Sequence, residues 1–128
     1  MLGLDKKLVL IALAGGIGSL ARYGLAGLVQ RWAGIGFAWG TPVVNLAGCF
    51  LFGMIWSLAE ERMLISGETR AILLVGFLGS FTTFSTYMFE TGELLRDAQW
   101  KLAAGNVCLQ TFGGLIGFFA GLALGRIL

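Results

Sequence analysis

Apolar residues fall in four long blocks along this chain, separated by short clusters of charge. The blocks run from about 8 to 29, 39 to 59, 70 to 95 and 102 to 124. A helix of roughly 22 residues is about 33 Å long, enough for a hydrocarbon core of about 30 Å. The pattern therefore predicts four membrane-crossing helices in one domain, residues 1–128. Lys6 and Lys7 precede the first block, and Ala12-Leu13-Ala14-Gly15 has the form of a cleavage site. The apolar run continues to Val29, beyond the roughly 7–15 apolar residues of a signal peptide, which predicts a retained first span.

Inside the blocks the polar positions are few. The first holds Arg22; the second opens on Thr41-Pro42, read as a cap and first helical residue, and holds Asn45. The third is different in kind. Its middle, Gly76-Phe77-Leu78-Gly79-Ser80-Phe81-Thr82-Thr83-Phe84-Ser85-Thr86-Tyr87, carries two glycines and five hydroxyls, which predicts a helix broken at membrane depth. Non-helical backbone is tolerated there only under a cover of protein or in a water-filled cavity. In the fourth block Gly113, Gly117, Gly121 and Gly125 form a groove that admits another helix closely. Asn106, Gln110 and Gly114 make a more polar stripe one residue round from it.

Composition agrees with lipid as the solvent: of 128 residues 57% are hydrophobic and 12% charged, against about 45–50% and about 25% in soluble domains. The chain has no His, and Cys49 and Cys108 have no metal-binding or redox spacing. With no plausible nucleophile–base pair and no phosphate-binding loop, enzyme chemistry is disfavoured. A net charge of +2, scattered along the chain, gives no footprint for nucleic acid. Four spans place both termini on one side with Lys6, Lys7, Arg62, Arg70 and Arg126; the other side carries Arg31, Arg96 and Lys101. Five against three is a weak bias and predicts insertion in both orientations, which would allow an antiparallel homodimer.

Polar groups in a membrane are costly and are functional candidates by default. Arg22 reads either as a snorkelling side chain or as an inward-facing one that draws anions or caps carbonyls. Asn45 offers two N–H donors to an anion, or makes a helix–helix hydrogen bond between subunits. Phe84 and Tyr87, three apart, either pack or turn electropositive ring edges toward an anion. The hydroxyls suit an ion that sheds its water, or bond back to helix carbonyls.

The blocks Gly15-Gly16-Ile17-Gly18 to Arg22, Gly40-Thr41 to Val43-Val44-Asn45-Leu46, and Gly76-Phe77-Leu78-Gly79 to Thr82-Thr83-Phe84-Ser85-Thr86 resemble the Fluc (CrcB) family of fluoride channels, over nearly the whole chain. The resemblance implies an all-α membrane protein of the bacterial inner (plasma) membrane, an antiparallel homodimer passing fluoride passively out of the cell and excluding chloride. It places Asn45, Phe84, Tyr87, Thr41, Thr86 and Gln110 along the fluoride pathway and Arg22 and Glu90 at recurrent polar positions. It also implies a structural sodium ion held by main-chain carbonyls of Gly79 and Thr82. The chain departs in having Tyr87 for the family's second pore phenylalanine, and Asn106, Gln110 and Gly114 where relatives often carry serines. A drug/proton antiporter of this size needs an intramembrane carboxylate, and the first span offers only Arg22. A purely structural subunit would not call for the hydroxyl-rich stretch.

Overall fold

The computed structural model describes residues 2–128 and is helical throughout. Four helical segments are long and apolar enough to cross a membrane: α1 (Leu4–Ala33), α2 (Gly40–Glu61), α3 (Gly67–Arg96) and α4 (Trp100–Ile127). At 30, 22, 30 and 28 residues they extend beyond the apolar blocks. The ends are charged or amphipathic turns, which hydrophobic patterning under-reads.

Two packings build the subunit. α2 lies along α4, and α1 lies along the first half of α3. Both depend on missing side chains. A Cβ on Gly121 would strike the Phe50 carbonyl, and one on Gly53 the Phe118 carbonyl. A Cβ on Gly18 would strike the Phe77 carbonyl, and one on Gly76 would stand 2.9 Å from both the Ile11 carbonyl and the Ala14 methyl. In lipid, where apolar burial gives no drive between helices, such close backbone approach supplies the attraction. The glycine groove of α4 is thus filled by α2 of the same chain and asks for no second subunit. A small core of Val44, Leu74, Leu78 and Phe81 lies where α2 meets α3. Large apolar residues such as Leu13, Leu20, Ile116 and Phe119 point outward, as lipid-facing positions do.

The turn between α1 and α2 corrects one expectation. Thr41 does not cap α2, which begins at Gly40. The cap comes from Gln30 of α1, whose Oε1 accepts the Gly40 N–H at 3.4 Å while its Nε2 donates to the Gly34 and Phe37 carbonyls. With that cap supplied across the turn, the Thr41 hydroxyl is released for another partner. Pro42 still falls in the first turn, where no intrahelical donor is missed.

Within α3 the winding changes four times. After Gly67–Ala71 the chain widens into a π-helical stretch, Ile72–Leu78, then tightens over Gly79–Phe81. Thr82 (φ −83°, ψ 157°) and Thr83 (φ −147°, ψ 116°) are extended, and helix resumes at Phe84–Arg96. Two further π-helical stretches occur: Ser57–Glu61 ends α2, and Leu109–Gly113 lies within α4. π turns are uncommon and concentrate at functional sites.

Candidate functional site

The two extended threonines set the geometry. An interrupted helix leaves carbonyls and amides without their i,i+4 partners, and here the freed N–H groups of Thr83 and Thr86 find new acceptors. Thr82 returns its N–H to the Leu78 carbonyl at 3.0 Å and its hydroxyl to the same oxygen at 2.9 Å. Thr83 caps the second half of α3, its Oγ1 accepting the Thr86 N–H at 3.2 Å. The same Oγ1 donates to Thr86 Oγ1 at 3.0 Å.

Asn45 completes the repair. Its Oδ1 accepts the Thr83 N–H at 2.8 Å and its Nδ2 donates to the Thr83 carbonyl at 2.9 Å. One side-chain amide thereby stands in for a peptide neighbour on both sides of Thr83. Its second N–H goes to Gln110 Oε1 at 2.7 Å. All of these bonds lie within one chain, whereas the alternative expected for Asn45 is a bond between subunits.

Gln110 opens a line of amides. Its Nε2 donates to Asn106 Oδ1 at 2.9 Å, Asn106 Nδ2 donates to Thr91 Oγ1 at 2.9 Å, and Thr91 Oγ1 donates to the Tyr87 carbonyl at 2.8 Å. Asn106 is 1% exposed and Gln110 8%, so the polar stripe of α4 points into the subunit.

A cavity of about 430 Å³ is walled by Asn45, Gly48, Gly79, Thr82, Thr83, Phe84, Tyr87 and Gln110 among others, with no charged side chain in its lining. The Phe84 and Tyr87 rings meet edge to face, centroids 5.7 Å apart at 78°. Tyr87 is 8% exposed and Phe84 72%, so Phe84 projects from the subunit and Tyr87 is held inside it. A second cavity of about 970 Å³ is lined by Ser19, Arg22, Arg31, Thr41, Thr83 and Thr86 among others. The sequence-predicted pathway residues are therefore divided between two chambers: Asn45, Phe84, Tyr87 and Gln110 in the first, Thr41 and Thr86 in the second beside Arg22. Thr83 lines both. Glu90 borders a third, smaller space. The Thr41 hydroxyl donates to its Oε1 at 2.7 Å, and its Oε2 is buried with no partner.

Sequence reasoning passed over Thr83 as one hydroxyl of five, although it joins the chambers, caps the helix and meets Asn45. The available signal was Thr83 three residues before Thr86, a hydroxyl at a helix start. Thr91 was also missed, since a lone threonine late in a helix has no pattern to mark it.

The carbonyls of Gly79 and Thr82 meet a simple test as cation ligands. In an unbroken helix they would accept from the N–H groups of Thr83 and Thr86. Those donors are turned to Asn45 Oδ1 and Thr83 Oγ1 instead. Both carbonyls are left with lone pairs to offer, and Gly79 is exposed on the subunit surface. Oxygen-only ligation suits a hard cation, so these positions fit sodium.

The family model described as CrcB-like protein, Camphor Resistance (CrcB), matches residues 9–122. A protein of Nitrosococcus oceani named "Fluoride-specific ion channel FluC" is 56% identical over 96% of this chain and 98% of its own length. Proteins of the same name from Solidesulfovibrio magneticus and Desulforapulum autotrophicum are 54% and 48% identical, over 96% and 98% of this chain and 98% and 100% of their own lengths. Identity at that level along the whole chain leaves one assignment: the chain belongs to the CrcB family.

Proposed function

We propose that this chain is a subunit of a fluoride-specific channel that carries fluoride passively out of the cell and performs no catalysis. The observation that carries the reading is the extended Thr82–Thr83 step, held open by Asn45 beside the Phe84–Tyr87 edge in a chamber without charge. Fluoride is small and tightly hydrated. A pore selective for it must replace water with close N–H, O–H and ring-edge donors in a narrow space. Asn45, Gln110, Tyr87 and Phe84 carry groups of these kinds, the amide N–H groups of Asn45 being bonded to Thr83 and Gln110, and no carboxylate lines their chamber to repel an anion. Arg22 and Arg31, on the larger chamber with Thr41 and Thr86, raise the local concentration of anions at its mouth.

The same reading sets the Thr82–Thr83 interruption near mid-membrane and the subunit in the plasma membrane as half of an antiparallel homodimer. α1 supports the pairing: little of its most apolar window is buried within the subunit, and added Cβ atoms on Gly16, Gly24 and Gly27 would meet nothing. Phe84 and the Gly79 carbonyl, both at the subunit surface, would then face the partner. A structural sodium ion shared between the Gly79 and Thr82 carbonyls of two copies would satisfy backbone that lipid cannot. The five-to-three charge count suits insertion in both orientations.

Liposomes holding the purified chain and loaded with fluoride should release it to an electrode once a potassium ionophore relieves the charge. Chloride-loaded liposomes should hold their contents. Equal chloride release refutes the selectivity.

A further inference from the structure

We propose that Asn106 and Thr91 are positioning residues for the anion, and that the line Asn45–Gln110–Asn106–Thr91 reverses its hydrogen-bond direction when an anion reaches Asn45. The proposal rests on the channel reading above.

The reason is a donor count. The Asn45 amide has two N–H groups; one is given to the Thr83 carbonyl and the other to Gln110 Oε1. Asn45 as it stands offers an anion nothing, and the nearest face of Gln110 presents an oxygen. An anion placed there would meet a lone pair. The bond to Thr83 holds the interruption, so the bond to Gln110 is the one that yields.

Gln110 cannot simply turn away. Its Nε2 is committed to Asn106 Oδ1, Asn106 Nδ2 to Thr91 Oγ1, and the Thr91 hydroxyl to the Tyr87 carbonyl. Rotating the Gln110 amide alone would set Oε1 against Asn106 Oδ1, two acceptors in a buried site. The conflict resolves if Asn106 rotates as well and the Thr91 hydroxyl swings from the Tyr87 carbonyl to Asn106 Oδ1. The Gln110–Asn106 and Asn106–Thr91 bonds then survive with their direction reversed, and the Asn45–Gln110 and Thr91–Tyr87 bonds are given up: Thr91 donates to Asn106, Asn106 to Gln110, and Gln110 Nε2 to the anion. Asn45 adds its released N–H. No proton leaves its atom, and the anion gains two N–H donors where it had met none.

The two states have nearly the same shape. A carboxamide turned by half a revolution occupies the same volume, and its terminal torsion is broad and two-fold. The Tyr87 carbonyl loses one of two donors, retaining its place in the helix. Gln110 lies in the π turn Leu109–Gly113, a departure from regular helix frequent at functional positions. Thr91 is the end of the line: it meets no anion, yet its hydroxyl alone can act as acceptor in one state and donor in the other.

The test uses the chain with 15N only in Asn and Gln side chains, in lipid nanodiscs, and initial fluoride efflux from liposomes. Fluoride should shift the side-chain amide signals of Asn106 as well as those of Gln110 and Asn45; equal chloride should not. Thr91→Val removes two bonds from the resting line and one from the reversed line, so the fluoride concentration that half-shifts the Asn45 and Gln110 signals should fall about tenfold, the worth of roughly one net hydrogen bond, and Thr91→Ser should return it to the parent value. Parent efflux with Asn106 signals unmoved by fluoride overturns the proposal, as does Thr91→Val half-shifting at the parent fluoride concentration. If Thr91→Val does not fold, the Asn106 signals of the parent decide alone. A parent that releases no fluoride refutes the channel reading itself.

Discussion

Replacing Asn45 by leucine tests whether one side chain holds the extended step in α3. The two side chains are close in volume, so packing against α4 changes little. What is lost is the pair of bonds to the Thr83 N–H and carbonyl, and the bond to Gln110. Gln110 keeps its bond to Asn106 and its Oε1 faces the chamber, but the Thr83 backbone cannot turn, and Thr83 is 8% exposed. Two buried backbone groups left without partners cost ~1–3 kcal/mol each, about 2–6 kcal/mol together. For a chain of this size that corresponds to a fall of at least ~6 °C in the melting midpoint. Fluoride efflux should be lost as well, because the chamber is built on the repaired backbone. Asn45→Asp separates the two sides of the brace: it still accepts from the Thr83 N–H, but sets oxygen against the Thr83 carbonyl and Gln110 Oε1. It should be no more stable than the leucine variant. Midpoints would be read by size-exclusion after heating in detergent, and fluxes at equal protein density. A leucine variant melting within a degree of the parent would refute the brace.

Gly121→Ala should force α2 and α4 apart at the Phe50 carbonyl and cost ~1–3 kcal/mol, whereas Gly105→Ala, where a Cβ meets nothing, should leave the midpoint unchanged. If the ring edge is what fluoride meets, Tyr87→Phe should keep selective flux, and Tyr87→Ile and Phe84→Ile should reduce it sharply; loss in Tyr87→Phe as well would assign the role to the hydroxyl. C-terminal reporters should register on both sides of the membrane, and two lysines added beside Arg31 should drive the population to one side. Gly79→Val should distort the carbonyl pair offered to sodium and lower flux, and sodium-dependent stability present in the parent should disappear with it.

Much of the architecture was legible because lipid imposes a coarse rule: apolar runs of sufficient length, interrupted only where protein covers the gap. Four helices followed from that rule, and the hydroxyl-rich stretch in the third marked its unusual backbone. The α4 glycines were legible as a groove, but sequence could not say that α2 of the same chain fills it. Thr41-Pro42 carried an ordinary capping signal, and local propensity lost to a tertiary contact, Gln30 reaching over from α1. The candidate site was legible in residue type and not in arrangement. The family resemblance joined Thr41, Asn45, Thr86 and Gln110 into one path, whereas the folded chain sorts them into two chambers meeting at Thr83.

The deeper gap concerns direction. An asparagine in a membrane helix reads as a source of donors, and the sequence states only how many it has. Whether they are free is decided by a threonine 38 residues along the chain and a glutamine 65 residues along. Both of Asn45's N–H groups are spent, one on structure and one on Gln110, so the site's affinity for an anion is a difference between two bonded states. A serine at the Gln110 position could reorient a single hydroxyl without disturbing its neighbour. An amide must turn as a whole and takes the next amide with it. Substituting amides into the α4 stripe therefore does more than lengthen the side chains: it ties the donor offered at Asn45 to a hydroxyl three bonds down the line, at Thr91.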